Sequence, residues 1–272
     1  MNPAEKNQHS MQILMLMLQS NAYGNIVRYN DTVVDSLSYT YDALSRPTTR
    51  NEDTFAYNER GEVVFSRRDA ENAEDTYAYD AENRLASVSS NGITFVTNQY
   101  DYRGRRIRKT TPTAETTFVY DGWNLLNEIV TTITDATTNV TEIQYFWGAD
   151  LSESLQGAGG VGGLLAVSIA GDFYFPAYDN NGNVTKYIDE SGNTVAQYTY
   201  DAFGKIAAQS GPLADFCRQR FSTKYFDSET GLYYYGYRFY SPALMRSHTT
   251  FCVVAVDQCA RFMVTYTQKE AS

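Results

Sequence analysis

Histidine, cysteine and basic residues are all scarce in this chain of 272 residues, and each scarcity removes a class of chemistry. The two histidines, His9 and His248, lie near the ends, so none within the central sequence can complete a catalytic triad or a multi-histidine metal site. Three cysteines, Cys217, Cys252 and Cys259, make an odd count without a C-x-x-C pair, which suggests neither a zinc site nor a disulfide framework. Cys217, in "DFCRQRF", has only arginine for a basic neighbour and reads as a buried or incidental thiol. No stretch approaches the ~18 apolar residues of a membrane span. The short apolar run Ile13 to Leu18 is followed by small residues Ser20 and Ala22, but Glu5 offsets Lys6, so the ends resemble a signal peptide only in outline. With 22 Lys and Arg against 32 Asp and Glu the formal net charge is −10, which opposes general affinity for nucleic acid or anionic membranes. The local exception is "YRGRRIRKT", where Arg103, Arg105, Arg106, Arg108 and Lys109 read as a solvated turn and strand face.

What the chain has in quantity is aromatic: 23 Tyr and 14 Phe, among runs of Thr and Val that suit a pleated surface better than a helix. The reading is all-β. One pattern recurs, an aromatic followed by Asp or Asn, two loose positions, a turn-former, and soon an apolar residue. Its copies begin at Asp42, Asn58, Asp80, Asp101, Asp121, Asp179 and Asp201, with spacings of 16, 22, 21 and 20 over the first five. Asp or Asn at the first position accepts a hydrogen bond from the backbone two residues on. Three residues after it stand Ser45, Gly61, Asn83, Gly104, Asn124, Gly182 and Gly204, mostly residues that tolerate the positive φ of a hairpin loop. Val63, Leu85, Leu126, Val184 and Ile206 follow two positions later and are expected to start the next strand. "DESG", with Asp189 and Gly192, repeats the turn spacing, so each unit of ~20 residues holds two strands and two turns. The Tyr before each Asp then ends a strand on a fixed face, with its hydroxyl free to reach water or backbone.

Residues 122 to 178 break this register and read as a longer connection within one sheet system. Their "GAGGVG", Gly157 to Gly162, satisfies G-x-G-x-x-G, but neither a buried strand before it nor a helix after it is expected, so there is no phosphate cradle. The run from Asp179 through Asn181, Asn183 and Glu190 offers calcium-like oxygen spacing, yet Val184 stands where the sharp-turn glycine belongs and both flanks are strand-like. No cofactor, metal or catalytic residue is assigned.

The densest aromatic stretch is "GLYYYGYRFYSP", which puts five tyrosines into eight positions. Read as one strand, its odd positions Tyr233, Tyr235, Tyr237 and Phe239 share a face, as a wall would require. With the repeats placed, the chain resembles the YD-repeat family: bacterial Rhs polymorphic toxins, C components of insecticidal toxin complexes and the repeat shells of teneurins. "RFSTKYFDSETGLYYYGYRFYSPALMR", residues 220 to 246, is similar to the core signature that ends an Rhs shell. The resemblance implies a hairpin ribbon forming part of a spiralling β-sheet cage that encloses the polypeptide after it, usually a toxin. Tyr237, Arg238, Tyr240 and Pro242 carry the family's Tyr-Arg-x-Tyr-x-Pro, but Met245 stands in the next Gly position and Ser247 replaces Trp. The Asp-Pro-x-Gly that belongs to the family's self-cleaving site is absent; Asp257 has no Pro beside it. Without a carboxylate held at the scissile peptide, self-cleavage is not expected.

The organisation expected is an atypical segment 1–22, a YD-repeat region 23–219, the core signature 220–246, and a divergent tail 247–272. The function implied is a non-enzymatic terminal fragment of an Rhs-type shell, secreted or at a cell surface, lacking both toxin and cleavage motif. Its partners would be the remainder of a shell or an encapsulated toxin segment, with no nucleic acid and no membrane span. The alternative is a carbohydrate-binding or adhesion module that stacks exposed tyrosines on a cell-surface glycan.

Overall fold

Short strands joined by tight turns account for nearly all of the structure, a computed structural model that describes residues 18–20, 26–29, 37–44, 46–50, 53–68, 73–133, 137–244 and 246–247. The first half comprises β1 (Leu18–Ser20), β2 (Ile26–Tyr29), β3 (Leu37–Tyr41), β4 (Pro47–Arg50), β5 (Asp53–Tyr57), β6 (Val63–Arg68), β7 (Ala73–Tyr79), β8 (Leu85–Ser90) and β9 (Ile93–Tyr100). It continues through β10 (Arg106–Thr110), β11 (Ala114–Asp121), β12 (Asn124–Ile133), β13 (Thr138–Trp147), β14 (Leu164–Ile169), β15 (Asp172–Tyr178), β16 (Val184–Asp189), β17 (Thr194–Tyr200) and β18 (Ile206–Ser210). These eighteen strands form one sheet in which each is paired antiparallel with the next, so the chain is a single long meander. A second sheet of four strands follows: β19 (Tyr225–Asp227), β20 (Leu232–Tyr234), β21 (Phe239–Ser241) and β22 (Arg246–Ser247). The only helical piece among the described residues is a 3-10 turn at Phe221–Thr223.

The repeated turn is built by one side chain. Oδ1 of Asp80 accepts from the N–H of Glu82 at 3.0 Å and of Arg84 at 2.9 Å, while Oδ2 takes the Arg84 guanidinium at 2.7 Å. Asp101 does the same with Arg103 and Arg105, and Asp179 with Asn181 and Asn183. Asp42, Asn58 and Asp201 each accept the same two backbone N–H groups. Ser45 lies outside the described residues; Asn83 in its place of the Asp80 turn sits at φ 64°, a region open to Asn because its short polar side chain bonds locally. These donors and Arg105 outweigh partial burial and hold the Asp101 carboxyl below its usual range.

Just after each such turn the ladder bulges, the extra residue being Val64, Ala86, Thr185 and Ala207, opposite Ala56/Tyr57, Ala78/Tyr79, Ala177/Tyr178 and Thr199/Tyr200. The residue that faces the Tyr across the bulge is the first of the following strand. Its carbonyl is taken by an aromatic donor two strands further along the sequence from that Tyr: Tyr79 Oη bonds Val63 O at 2.8 Å, Tyr100 Oη Leu85 O at 2.7 Å and Tyr200 Oη Val184 O at 2.7 Å. Tyr57 to Pro47 and Tyr178 to Leu164 repeat the contact, and Trp147 serves with its indole N–H on Leu125 O. Arg46, Arg84 and Arg105, which pair with their turn aspartates, also lie over the rings of Tyr57, Tyr100 and Tyr120.

One copy of the motif departs from this geometry. Asp121 is the last residue of β11, paired with Asn124, and Gly122 and Trp123 form a two-residue turn between them. The turn is one residue shorter than at Asp80, so the expected inward residue moves by one position and side chains change face. Leu125 is buried and Leu126, expected to begin the strand inward, is 41% exposed. Residues 148–163 form the long connection, between β13 and β14. Asp150 organises it, its Oδ2 accepting from the N–H of Ala158 and Gly160. Strand β14, not a helix, follows its glycines.

Alternation gives the sheet one covered face: Ile143 and Tyr145, Ala196 and Tyr198, and Val88 and Val96 point into a single core. Tyr225, Leu232, Tyr234 and Phe239 of the second sheet join that core. The meander therefore wraps around its own C-terminal segment. The covered tyrosine hydroxyls make this wrapping depend on hydrogen bonds as well as on apolar area. Tyr200→Phe is expected to lower unfolding free energy by about 1–2 kcal/mol, because it removes a hydrogen bond to the Val184 carbonyl. Tyr237→Phe, at a ring 61% exposed, should stay within about 0.5 kcal/mol of wild type; urea denaturation of both variants measures the difference.

Candidate functional site

The segment "GLYYYGYRFYSP" forms a hairpin, which corrects the expectation of one aromatic strand. Strand β20 ends at Tyr234, Gly236 turns at φ 87°, and Tyr235 N–H bonds Arg238 O at 2.8 Å before β21 begins. Alternation cannot run through a reversal. Tyr233, Tyr234 and Phe239 are buried together, whereas Tyr237 lies on the surface against Trp123, ring centroids 4.1 Å apart. Pro242 opens the turn that leads to β22 and is buried.

The tyrosines of this hairpin continue the carbonyl-capping pattern of the ribbon where the repeats stop. Tyr233 Oη donates to Gly204 O at 3.0 Å and Tyr240 Oη to Phe203 O at 2.9 Å, both in the last repeated turn. Upstream, Tyr187 Oη donates to Gln219 O, and Tyr198 Oη to Ala214 O and Cys217 O. Arg220 is buried between the rings of Tyr198 and Phe226 and bonds Ala214 O and Cys217 O. Burial pushes the neighbouring Cys217 thiol up to about 12, so it is inert.

Charge locks the two sheets together. Arg106 and Lys109, on β10, are both buried, against the expectation of a solvated basic face. The bulge between Arg106 and Arg108 shifts alternation, so Arg106 and Lys109 face inward while Arg103 and Arg108 stay exposed. Arg106 Nη1 reaches Asp227 Oδ2 at 2.6 Å and Lys109 Nζ reaches Asp227 Oδ1 at 2.9 Å; Glu229 closes over Lys109 at 3.2 Å. Burial alone would raise the Asp227 pKa, but the charges of Arg106 and Lys109 hold the carboxyl below its usual range. The Arg106 guanidinium lies among the rings of Phe118, Tyr225, Tyr234 and Phe239, 4.8 to 5.5 Å from their centroids. Two of its nitrogens find no hydrogen-bond acceptor and face these π surfaces instead. A second buried carboxylate, Glu128 on β12, accepts from Tyr145 Oη at 2.7 Å and from Tyr225 Oη at 2.6 Å, joining wall to terminal sheet.

These contacts join the ribbon to the terminal sheet of the same chain. No cluster of three metal-ligating side chains occurs among the described residues, and the carboxylate oxygens of Asp179 are taken by Asn181 and Asn183. A cleft of about 290 Å³ remains between strands β4 to β7 and the terminal sheet, lined by Arg50, Asp75, Tyr77, Lys205, Phe226 and Leu244 among others. It brings the start of β18 near the early strands. The clamp sets a clear energetic contrast: Arg106→Gln, which leaves Asp227 short of its main partner, is expected to cost about 3–5 kcal/mol. Glu229→Gln, at the partly exposed rim, should cost under about 1 kcal/mol; chemical denaturation separates the two.

Known proteins are similar to this chain. The chain is 33% identical over 220 residues to the tRNA3(Ser)-specific nuclease WapA of Bacillus spizizenii, covering 78% of this chain and 8% of that protein. It is 30% identical over 215 residues to double-stranded DNA deaminase toxin A of Burkholderia cenocepacia, covering 71% of this chain and 14% of the toxin. Among solved structures, the crystal structure of TcdB2-TccC3-TEV superposes with a TM-score of 0.50 at 15% identity, over 86% of this chain and 15% of that one. The chain thus spans less than a sixth of each of these proteins. The teneurin YD-shell model matches residues 6–263, and with the repeated turn, the bulge and the aromatic donor all in place, the chain belongs to this YD-repeat shell family.

Proposed function

We propose that this chain is the terminal part of an Rhs-type shell, a structural piece without enzymatic activity of its own, whose family role is to enclose and help deliver a toxin. The observation that carries the reading is the way residues 211–247 stop the ribbon: Tyr233 and Tyr240 cap the carbonyls of the last repeated turn, and Asp227 pins the segment to β10. An end piece needs this, because a repeat array must satisfy its final unit with something other than another repeat. Its partners on this reading are the rest of a shell and an enclosed toxin segment, and its location is secreted or at a cell surface. Among the described residues no helix is long and apolar enough to cross a membrane.

The glycan-stacking alternative would fall to exposed rings such as Tyr102 and Tyr237, since the hydroxyls of Tyr234 and Tyr240 bond Arg106 N–H and Phe203 O. The division at residues 22, 219 and 246 is part of the same proposal. Strand β22 includes Ser247, so the tail is best cut after it. Purified protein should remain one full-length chain on prolonged incubation, since the family's cleavage aspartates are missing; fragments ending near Arg246, seen by intact mass, would overturn this. Deleting residues 248–272 should leave a cooperative melt unchanged, and loss of that melt would make the tail part of the fold.

A further inference from the structure

We infer that the Arg106–Asp227 contact is an acid-resistant closure: the terminal sheet stays docked through mildly acidic conditions and comes away only in strong acid, when Asp227 itself takes up a proton. The contact joins strand β10 of the ribbon to strand β19 of the terminal sheet, and both side chains are almost completely buried. Two cations and two carboxylates make the cluster, Arg106 and Lys109 against Asp227 and Glu229. The groups that face it complete the inventory. They are Asn98 and Tyr100 from β9, Tyr120 from β11, Glu128 from β12, Arg218 before β19, and Tyr225 and Tyr234 from the terminal sheet.

No histidine is among them, so the cluster lacks the side chain whose charge ordinarily changes between pH 5 and 8. Glu229 is the accessible carboxylate, 27% exposed against 3% for Asp227. Losing the Glu229 contact leaves Asp227 with both of its cations. The Asp227 carboxyl is held below its ordinary range, so its contribution is fully present above the unfolded value of about 3.9 and is lost as pH falls through the lower folded value. Mild acid therefore leaves the clamp in place. Tyr225 and Tyr234, whose ionisation burial pushes upward, stay neutral throughout this range.

Cys217 is a built-in reporter, because it lies in the same buried cluster as Tyr225 and Phe239. In a chain carrying Cys252→Ser and Cys259→Ser, its labelling by a pyridyl disulfide that reacts with thiols in acid can be followed at pH 7, 5 and 3. Rates are scaled to an unstructured cysteine peptide at each pH, and strand content is read by circular dichroism. The expected result is protection at pH 7 and 5 and labelling about tenfold faster or more at pH 3 while the strand signal persists. Asp227→Asn should raise the pH 7 rate by about tenfold or more, whereas Glu229→Gln should stay within about threefold of wild type. Wild-type labelling at pH 5, continued protection at pH 3, or loss of strand signal together with protection would each overturn the closure. If Asp227→Asn does not fold, the wild-type pH series decides alone.

Discussion

A bulge in an antiparallel ladder leaves main-chain groups without their usual partners, and in this chain one side-chain donor per unit answers for them. Val63, Leu85 and Val184 each stand directly before the extra residue of a bulge, and each carbonyl is bonded by the tyrosine that ends the next strand. The tyrosine belongs to the next unit. Each hairpin therefore depends on its successor for the satisfaction of a buried acceptor, which couples neighbours directly and fixes their register. The Asp of the turn sets the position of that tyrosine, since the two are adjacent in the chain. This is why the pair recurs together: the Asp closes its own turn and the Tyr closes the one before.

The exceptions obey the same requirement with other atoms. Trp147 is followed by Gly148 instead of Asp, yet its indole N–H still reaches Leu125 O at 2.7 Å. After it the row of turns is interrupted by residues 148–163, and their polar groups bridge the gap. Gln156 accepts from Trp123 N–H and donates to Asp121 O, while Thr223 accepts from Gly162 N–H and donates to Gly182 O. Turn, loop and terminal segment are thus stitched along one edge. Gly182 shows how tightly, for a Cβ there would stand 2.6 Å from Val161 and 3.1 Å from the Gly162 nitrogen. A larger residue would have to displace backbone.

Much of this was legible in the sequence because a turn is a local event. Asp80, Glu82, Asn83 and Arg84 interact within five residues, and residue type at those positions carries the geometry. The all-β class and the hairpin ribbon follow from repetition of such local signals. What was not legible depends on residues far apart in the chain. Arg106 and Asp227 are separated by 121 positions, and nothing in "RRIRK" distinguishes an inward arginine from a solvated one. The bulge does, by replacing the spacing of two with a spacing of three between Arg106 and Lys109. The Asp121 turn misled in the opposite way: its residues match the motif, but the chain turns one residue earlier, and Leu125 takes the place that spacing gives Leu126.

The buried clamp remains an unusual way to hold two sheets together, since apolar side chains of similar volume often stabilise as well or better than a buried ion pair. Its advantage is direction. An aromatic surface such as that of Tyr225, Tyr234 and Phe239 could slide against Phe118 and Tyr145 in several registers with similar apolar contact. A guanidinium enclosed by four rings tolerates one position for its counterion, because any other leaves Asp227 buried without a cation. The tyrosine hydroxyls then find Glu128, Gly204 and Phe203 in a single arrangement. Hydrophobic burial supplies the attraction between ribbon and terminal sheet, and the buried charges select which of the possible packings it produces.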